Sequence, residues 1–166
     1  MWKVVKNYEI KDENSAIMQF RGNNMFLSNF YEGNVFIHKG YKFTNTEAAF
    51  HAEKCWDRVK EFELERPSQS KKLGRQVEMR EDWEEVKDKV MYDVCYKKFS
   101  QDKTLLKKLL QTGDRELVEG NRHGDRCWGM TYSQKYNMWI GENRLGIVLM
   151  KLREDLLNEA IDLWVY

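Results

Sequence analysis

The stretch TNTEAAFHAEKCWDRVKEF, residues 44–62, decides how the chain is read. Ala48, Ala52, Cys55, Val59 and Phe62 recur at spacings of three and four, which predicts one buried face of an α-helix. On such a helix Glu47 and Lys54 lie seven residues apart, about 700° of rotation, so their side chains point within roughly 20° of each other. His51 and Arg58 fall on the same stripe, and Phe50 flanks it. The apolar face adjoins this polar stripe instead of opposing it, so the stripe can line a cleft. A carboxylate and an ammonium held there can act as general base or acid and as nucleophile. The same residues admit a plainer role. Thr44-Asn45-Thr46-Glu47 matches a capping box, with Glu47 serving only the backbone donors at the helix start and Lys54 solvated.

Outward from this helix, the chain changes character. Before Thr44 it reads as β-rich. Residues 16–20 form a short strand candidate, and Phe36 and His38 alternate with Val35 and Ile37. Lys39-Gly40 then makes a turn from which Tyr41–Phe43 returns, a hairpin pattern. After the first helix, Pro67 opens a second, with Leu73 and Val77 inward. Trp83, Val86, Val90 and Val94 mark a third that starts near Asp82. Asp102 caps a fourth bearing Leu105, Leu106, Leu109 and Leu110, and Gly113 stops it. Residues 121–142 show no clean period and read as a long loop, the kind of segment that carries function in a compact domain. Leu145, Leu149, Leu152 and Leu156 mark the last helix. The expected class is α+β: a helix-dominated single domain over residues 1–166 with a small antiparallel β-sheet.

Composition bounds what such a domain does. The chain has 166 residues, and 28 Lys and Arg against 27 Asp and Glu give a net charge of +1. That balance supplies no general drive toward nucleic acid or membrane surfaces. No apolar run approaches the roughly 20 residues of a membrane helix, and the polar start MWKVVKNYEIKDEN does not resemble a signal peptide. Three scattered cysteines, Cys55, Cys95 and Cys127, fit free thiols in a reducing compartment. The expected location is the cytoplasm.

Other chemistry is thinly marked. His51-x-x-x-Cys55 and His123-x-x-x-Cys127 each set two metal-ligand types four residues apart. Cys55 belongs to the apolar stripe, however, and a zinc site needs four such ligands. No Gly-rich phosphate loop and no Gly-x-Ser-x-Gly elbow is present. Asp125, Arg126, Trp128 and Gly129 suit a flat ligand stacked on the indole, or else a tryptophan plugging the core. Arg21, Lys98 and Arg144 are candidates for a phosphate, and each serves equally well as a surface ion-pair partner.

Taken in order, these residues resemble the YbiA-like family, also called NADAR. The likeness runs from Phe26-Leu27-Ser28-Asn29-Phe30-Tyr31 through Thr46-Glu47, Phe50, Ala52 and Lys54 to Lys72-Leu73-Gly74-Arg75 and Trp83. It continues through Lys98-Phe99, Leu109-Leu110, Thr112-Gly113, Leu117-Val118-Glu119, Asp125, Trp128-Gly129 and Asn143-x-Leu145-Gly146, covering roughly residues 20–157. Ala48 stands where the family often carries a bulkier residue, and Met130 near where it often has a further glycine.

The resemblance implies hydrolysis of N-glycosidic bonds without metal or redox cofactor. The implied substrates are small nucleotide-like molecules, namely ribosylamino-pyrimidine phosphates of riboflavin synthesis, or guanine bases carrying ADP-ribose on nucleic acid. It implies catalytic importance for Glu47, Trp83 and Asp125 and a role for Lys54. It implies a pocket shaped by Ser28, Asn29, Phe30, Trp128, Gly129 and Asn143. The different-class alternative is a module that binds NAD or ADP-ribose without cleaving it. Oligomeric state has no signature in the sequence.

Overall fold

The computed structural model describes residues 6–165, with side chains through residue 163. The first five residues of the polar N-terminal stretch, and Tyr166, lie outside the described residues. Two compact units make up the chain, one of residues 25–108 and one of residues 6–24 with 109–165.

In the unit of residues 25–108, strands β1 (Phe36–His38) and β2 (Tyr41–Phe43) pair antiparallel, with Phe36 opposite Phe43 and His38 opposite Tyr41. Lys39 and Gly40 both take positive φ, 48° and 86°, as the tight two-residue turn of a right-twisted hairpin demands. Helix α1 (Thr46–Ala52) follows, then a 3-10 helix over Trp56–Glu61. Helix α2 (Pro67–Gly74) has proline in its first turn, where no amide donor is missed. Helix α3 (Trp83–Ser100) buries Trp83, Val90, Met91, Val94 and Phe99. Helix α4 (Lys103–Gln111) begins where Asp102 Oδ1 accepts from the amides of Thr104 and Leu105 at 2.9 and 3.0 Å. It ends before Gly113, whose φ of +64° suits glycine at a helix stop.

The periodicity of residues 44–62 overstates the first helix. It is broken after Ala52, and Cys55, Val59 and Phe62 belong to the 3-10 segment and the turn beyond it. Val59 and Phe62 are nevertheless buried, so the apolar pattern reports burial correctly and continuity wrongly. The break has tertiary causes. Glu53 is drawn to His38 and Lys39 on the hairpin, and the Lys54 carbonyl accepts from the Arg80 amide at 2.8 Å instead of continuing the helical ladder.

In the other unit, the strand candidate at 16–20 is a single parallel bridge, Ile17 to Leu117. Glu116 ties down the segment before it: its carboxylate accepts from the Tyr8 hydroxyl at 2.8 Å and from the amides of Lys11 and Asp12. Residues 121–142 are not the long loop expected. Strands β3 (Gly120–Asn121), β4 (Met130–Ser133) and β5 (Met138–Ile140) form a sheet in which β3 and β4 run parallel and β4 and β5 make a hairpin. Helix α5 (Arg144–Val165) then buries Leu145, Leu149, Leu152 and Leu156. Helix-rich with small sheets, the chain is α+β as expected, though one strand pair is parallel. Among the described residues no helix is long and apolar enough to cross a membrane.

Close approach in this unit depends on Gly146 in α5. A Cβ there would lie 2.0 Å from the Leu117 carbonyl oxygen, a backbone atom that cannot rotate away. Alanine gains about 1 kcal/mol of helix propensity over glycine, but overpacking costs about 1–3 kcal/mol, and this contact is unusually short. Gly146→Ala is therefore expected to lower stability, as a reduced midpoint in urea denaturation followed by circular dichroism.

Candidate active site

Helix α1 is capped by Asn45, whose side chain accepts from the Ala48 amide at 2.8 Å. The capping box assigned to Thr44–Glu47 is thereby replaced. Asn45 does the capping, and the Glu47 carboxylate is left for other work. Glu47 Oε1 lies 2.8 Å from His51 Nε2 one turn on, with both side chains mostly buried at 12% and 8% exposed. With Glu47 as carboxylate, Nε2 is the donor of this bond, and Nδ1 on the other side of the ring is buried. Nδ1 has no hydrogen-bond partner among the described residues. It faces Gly74 of α2, where a Cβ would stand 2.2 Å from it. The glycine of Lys72-Leu73-Gly74-Arg75 thus makes room for the imidazole that holds Glu47.

Lys54 follows the helix end. Its Nζ donates to the Gly74 carbonyl at 3.3 Å and stands 5.6 Å from the Trp83 ring centroid and 6.0 Å from that of Phe50. Phe50 and Trp83 pack at 4.9 Å between centroids, and both are buried. Burial, the largest influence, pushes the Lys54 ammonium below the ordinary lysine value. Glu47 and Glu84 pull the other way, while Arg75 and Lys87 assist the lowering. Glu47, His51, Lys54, Phe50 and Trp83 are therefore one group. The sequence offers His51 on the polar stripe and as a metal-ligand type, not as a partner of Glu47; its place four residues from Glu47 is the signal for that pairing.

The residues of the Phe26–Tyr31 turn support this group. Asn29 Oδ1 accepts from the Thr46 hydroxyl at 2.7 Å, and the Asn29 carbonyl accepts from the Glu47 amide at 3.1 Å. Ser28 Oγ accepts from the Phe30 amide at 3.1 Å. Phe30 is exposed, with Lys71 Nζ 5.7 Å from its ring centroid. Lys98 is only 1% exposed, and its Nζ donates to the Ser28 carbonyl at 3.0 Å. It is a strut beneath this turn, not a cation presented to solvent.

A second charged cluster lies nearby in the same unit. Glu53, 4% exposed, meets His38 Nε2 at 2.6 Å and Lys39 Nζ at 2.7 Å. Burial pushes its carboxyl up, but hydrogen bonds and charges from His38 and Lys39 outweigh that and hold it below the ordinary glutamate value.

The remaining candidates belong to the other unit. Asp125 Oδ1 accepts from the amides of Cys127 and Trp128, both at 3.0 Å. Asn121 fixes the Asp125 backbone, accepting from its amide at 3.0 Å and donating to its carbonyl at 2.8 Å. Trp128 is half-buried. Gly129 is required where it stands, since a Cβ there would lie 2.3 Å from the Glu119 carbonyl. Asn143 is fully buried, accepts from the Glu119 amide and donates to the Leu117 carbonyl, both at 3.0 Å. It shapes the turn into α5. Arg144 is ion-paired with Glu142, and Arg21 is exposed. Among the described residues no group of three or more His, Cys, Asp or Glu side chains is gathered as metal ligands.

The fold is helix-rich α+β, and at α1 it sets a mostly buried carboxylate–imidazole pair beside a half-buried lysine. Residues 15–157 match the NADAR domain, and the chain belongs to that family. It is 35% identical over 125 residues to the N-glycosidase YbiA of Escherichia coli, covering 72% of this chain and 74% of that one. It is 33% identical over 143 residues to a riboflavin biosynthesis protein of Vibrio vulnificus, covering 83% of this chain and 37% of that protein. An N-glycosidase of Acanthamoeba polyphaga mimivirus is 35% identical over 114 residues, with 64% and 63% covered. The chain thus spans little over a third of the Vibrio protein and under two thirds of the viral one. The solution structure of E. coli YbiA superposes with a TM-score of 0.73 at 28% identity, over 92% of this chain and 94% of that one.

The Glu53 cluster gives a pH prediction. A carboxyl held below its ordinary value in the fold contributes stability that is complete above the unfolded value and lost as pH falls through the folded one. Wild-type stability is expected to fall below about pH 4.5, the ordinary glutamate value. Glu53→Gln removes that part of the acid dependence, and at neutral pH costs about 1–3 kcal/mol for the charge-assisted bonds lost. Urea denaturation across pH 3 to 8 (about) measures both effects.

Proposed function

We propose that the chain is an N-glycosidase, a hydrolase of N-glycosyl compounds. Its substrate class is a phosphorylated ribosyl-amine or an ADP-ribosylated base. The placement of Lys54 carries this reading: an amine with a lowered pKa, laid against Trp83 and Phe50 and in the field of Glu47. The relatives, N-glycosidases and a riboflavin biosynthesis protein by name, support it.

Cleavage of an N-glycoside leaves positive charge on the sugar and negative charge on the departing base. Where the anomeric nitrogen is exocyclic, the sugar ring opens to an imine between C1′ and that nitrogen. Neutral Lys54 Nζ adds to C1′. The base amine then leaves with its electron pair and takes a proton relayed by Glu47, giving an iminium between Lys54 and C1′. Water adds to C1′, the C1′–Nζ bond breaks, and the sugar aldehyde is released with Lys54 regenerated. His51 positions Glu47, and Trp83 presents an aromatic wall to Lys54. Asp125 is proposed as a further catalytic carboxylate, to be assigned by its own variant.

Product analysis by liquid chromatography and mass spectrometry tests the reading. The substrates are a phosphoribosylamino-pyrimidine and, in parallel, a guanine-ADP-ribosylated oligonucleotide. Release of ribose 5-phosphate or ADP-ribose, reduced by about 10²–10⁴-fold in Glu47→Gln, is the expected outcome. Saturable binding with no product from either substrate would make the chain a binding module instead.

Borohydride trapping tests the lysine step. Trapping requires neutral Lys54, so it rises with pH toward a plateau above the amine's lowered pKa. Glu47 raises that pKa, so Glu47→Gln should shift the trapping profile to lower pH while slowing turnover. A trapped adduct elsewhere than Lys54, or none under turnover, removes the covalent step.

A further inference from the structure

Two buried side-chain atoms without a hydrogen-bond partner among the described residues belong to neighbouring helices: Nδ1 of His51 on α1 and Oγ of Ser70 on α2. Burying a polar atom unpaired is costly, and buried polar groups are nearly always paired. A serine inside a helix ordinarily turns its hydroxyl to solvent or back to the carbonyl four residues earlier. Ser70 does neither. It is fully buried, and its hydroxyl bonds to nothing in its own helix.

Pro67, Ser70 and Gly74 are the buried residues of α2. Their spacings of three and four put them on one face, and α2 packs on α1. Gly74 marks where the imidazole meets this face, since a Cβ there would stand 2.2 Å from His51 Nδ1. Ser70 lies one turn earlier, and β-carbons at that spacing are about 5–6 Å apart. Its hydroxyl spans the step by rotation about the Cα–Cβ bond or through one water. The rest of the ring is already held. Nε2 meets Glu47 Oε1 at 2.8 Å, and the Phe50 ring flanks the imidazole with centroids 5.5 Å apart.

We propose that Ser70 is a positioning residue whose hydroxyl hydrogen-bonds His51 Nδ1, so that the imidazole is fixed at both nitrogens and in turn fixes Glu47. A hydroxyl donates and accepts, so it serves Nδ1 whether the ring is neutral or carries two protons. Pro67 and Gly74 bring no polar side-chain atom to this face. The proposal rests on the N-glycosidase reading only for its effect on turnover, because the hydrogen bond is measured without substrate.

Imidazole nitrogen resonances of the full chain, labelled at histidine, test the bond. The chain has three histidines, His38, His51 and His123, and loss of one set of signals in His51→Gln assigns His51. In Ser70→Ala the His51 Nδ1 signal should move while those of His38 and His123 stay. Ser70→Cys, with a weaker donor in nearly the same volume, should move it less. With the phosphoribosylamino-pyrimidine as substrate, Ser70→Ala should lower kcat about tenfold and leave KM unchanged. It should cost nothing further in Glu47→Gln, since it acts through that carboxylate. An unmoved His51 Nδ1 signal in folded Ser70→Ala overturns the proposal. So do losses from Ser70→Ala and Glu47→Gln that multiply in full, as independent packing defects would. If wild type turns over neither substrate, the N-glycosidase reading fails, and the nitrogen spectrum alone still decides the bond.

Discussion

The candidate active site depends on a hydrogen bond made by neither Glu47 nor Lys54, the one from the Ala48 amide to the Asn45 side chain. A helix start leaves amide donors that some acceptor must satisfy. If Glu47 took that task, its carboxylate would be bound to its own backbone. Because Asn45 takes it, Glu47 is free to pair with His51. That pairing in turn needs an imidazole in a space that a single methyl group on Gly74 would fill. Cap, carboxylate, imidazole and glycine form a chain of dependence in which each residue's identity is fixed by the next.

Buried charge is handled differently in the clusters around it. Glu53 is held below the ordinary glutamate value by His38 and Lys39 of the hairpin, which outweigh its burial. Lys98 is buried with a carbonyl beneath it and aromatic rings of Tyr31 and Phe99 about 5 Å away. Lys54 has no carboxylate at ion-pair distance among the described residues, only a carbonyl at 3.3 Å and two aromatic faces. It is the least compensated of these groups, and a weakly compensated buried ionisable group is what an acid–base or nucleophilic role requires.

Much of the fold was legible because local chemistry and tertiary structure agree. Lys39-Gly40 reads as a turn and is one, since the hairpin's twist needs positive φ there. The start of α3 at Trp83 and the stop at Gly113 follow the same logic. The β4–β5 hairpin was not legible. Its side chains do not alternate cleanly between core and solvent, and the segment is held by Asn121, which reaches the Asp125 and Met130 carbonyls at once. The burial of Lys98 was not legible for a related reason: a lysine in the last turn of a helix ordinarily faces water, and its bond to the Ser28 carbonyl joins residues 70 positions apart. For the site, the type and order of residues were visible, but the partnership of Glu47 with His51 needed the true position of the cap.

The break after Ala52 matters more than the helix it interrupts. On a continuous helix Glu47 and Lys54 would share a stripe, yet seven residues separate them by roughly 10.5 Å along the axis. That spacing puts direct proton exchange out of reach. The hairpin's hold on Glu53 and the Arg80 amide's hold on the Lys54 carbonyl end the helix instead. The lysine side chain is then laid against Phe50, Trp83 and the end of α2, where Glu47 is the strongest charge acting on it. The departure from the helix thus leaves Lys54 in the field of Glu47 without an ion pair between them among the described residues. Disturbing the Glu53 cluster should therefore reach Lys54 through the backbone, even though Glu53 touches none of the reacting groups.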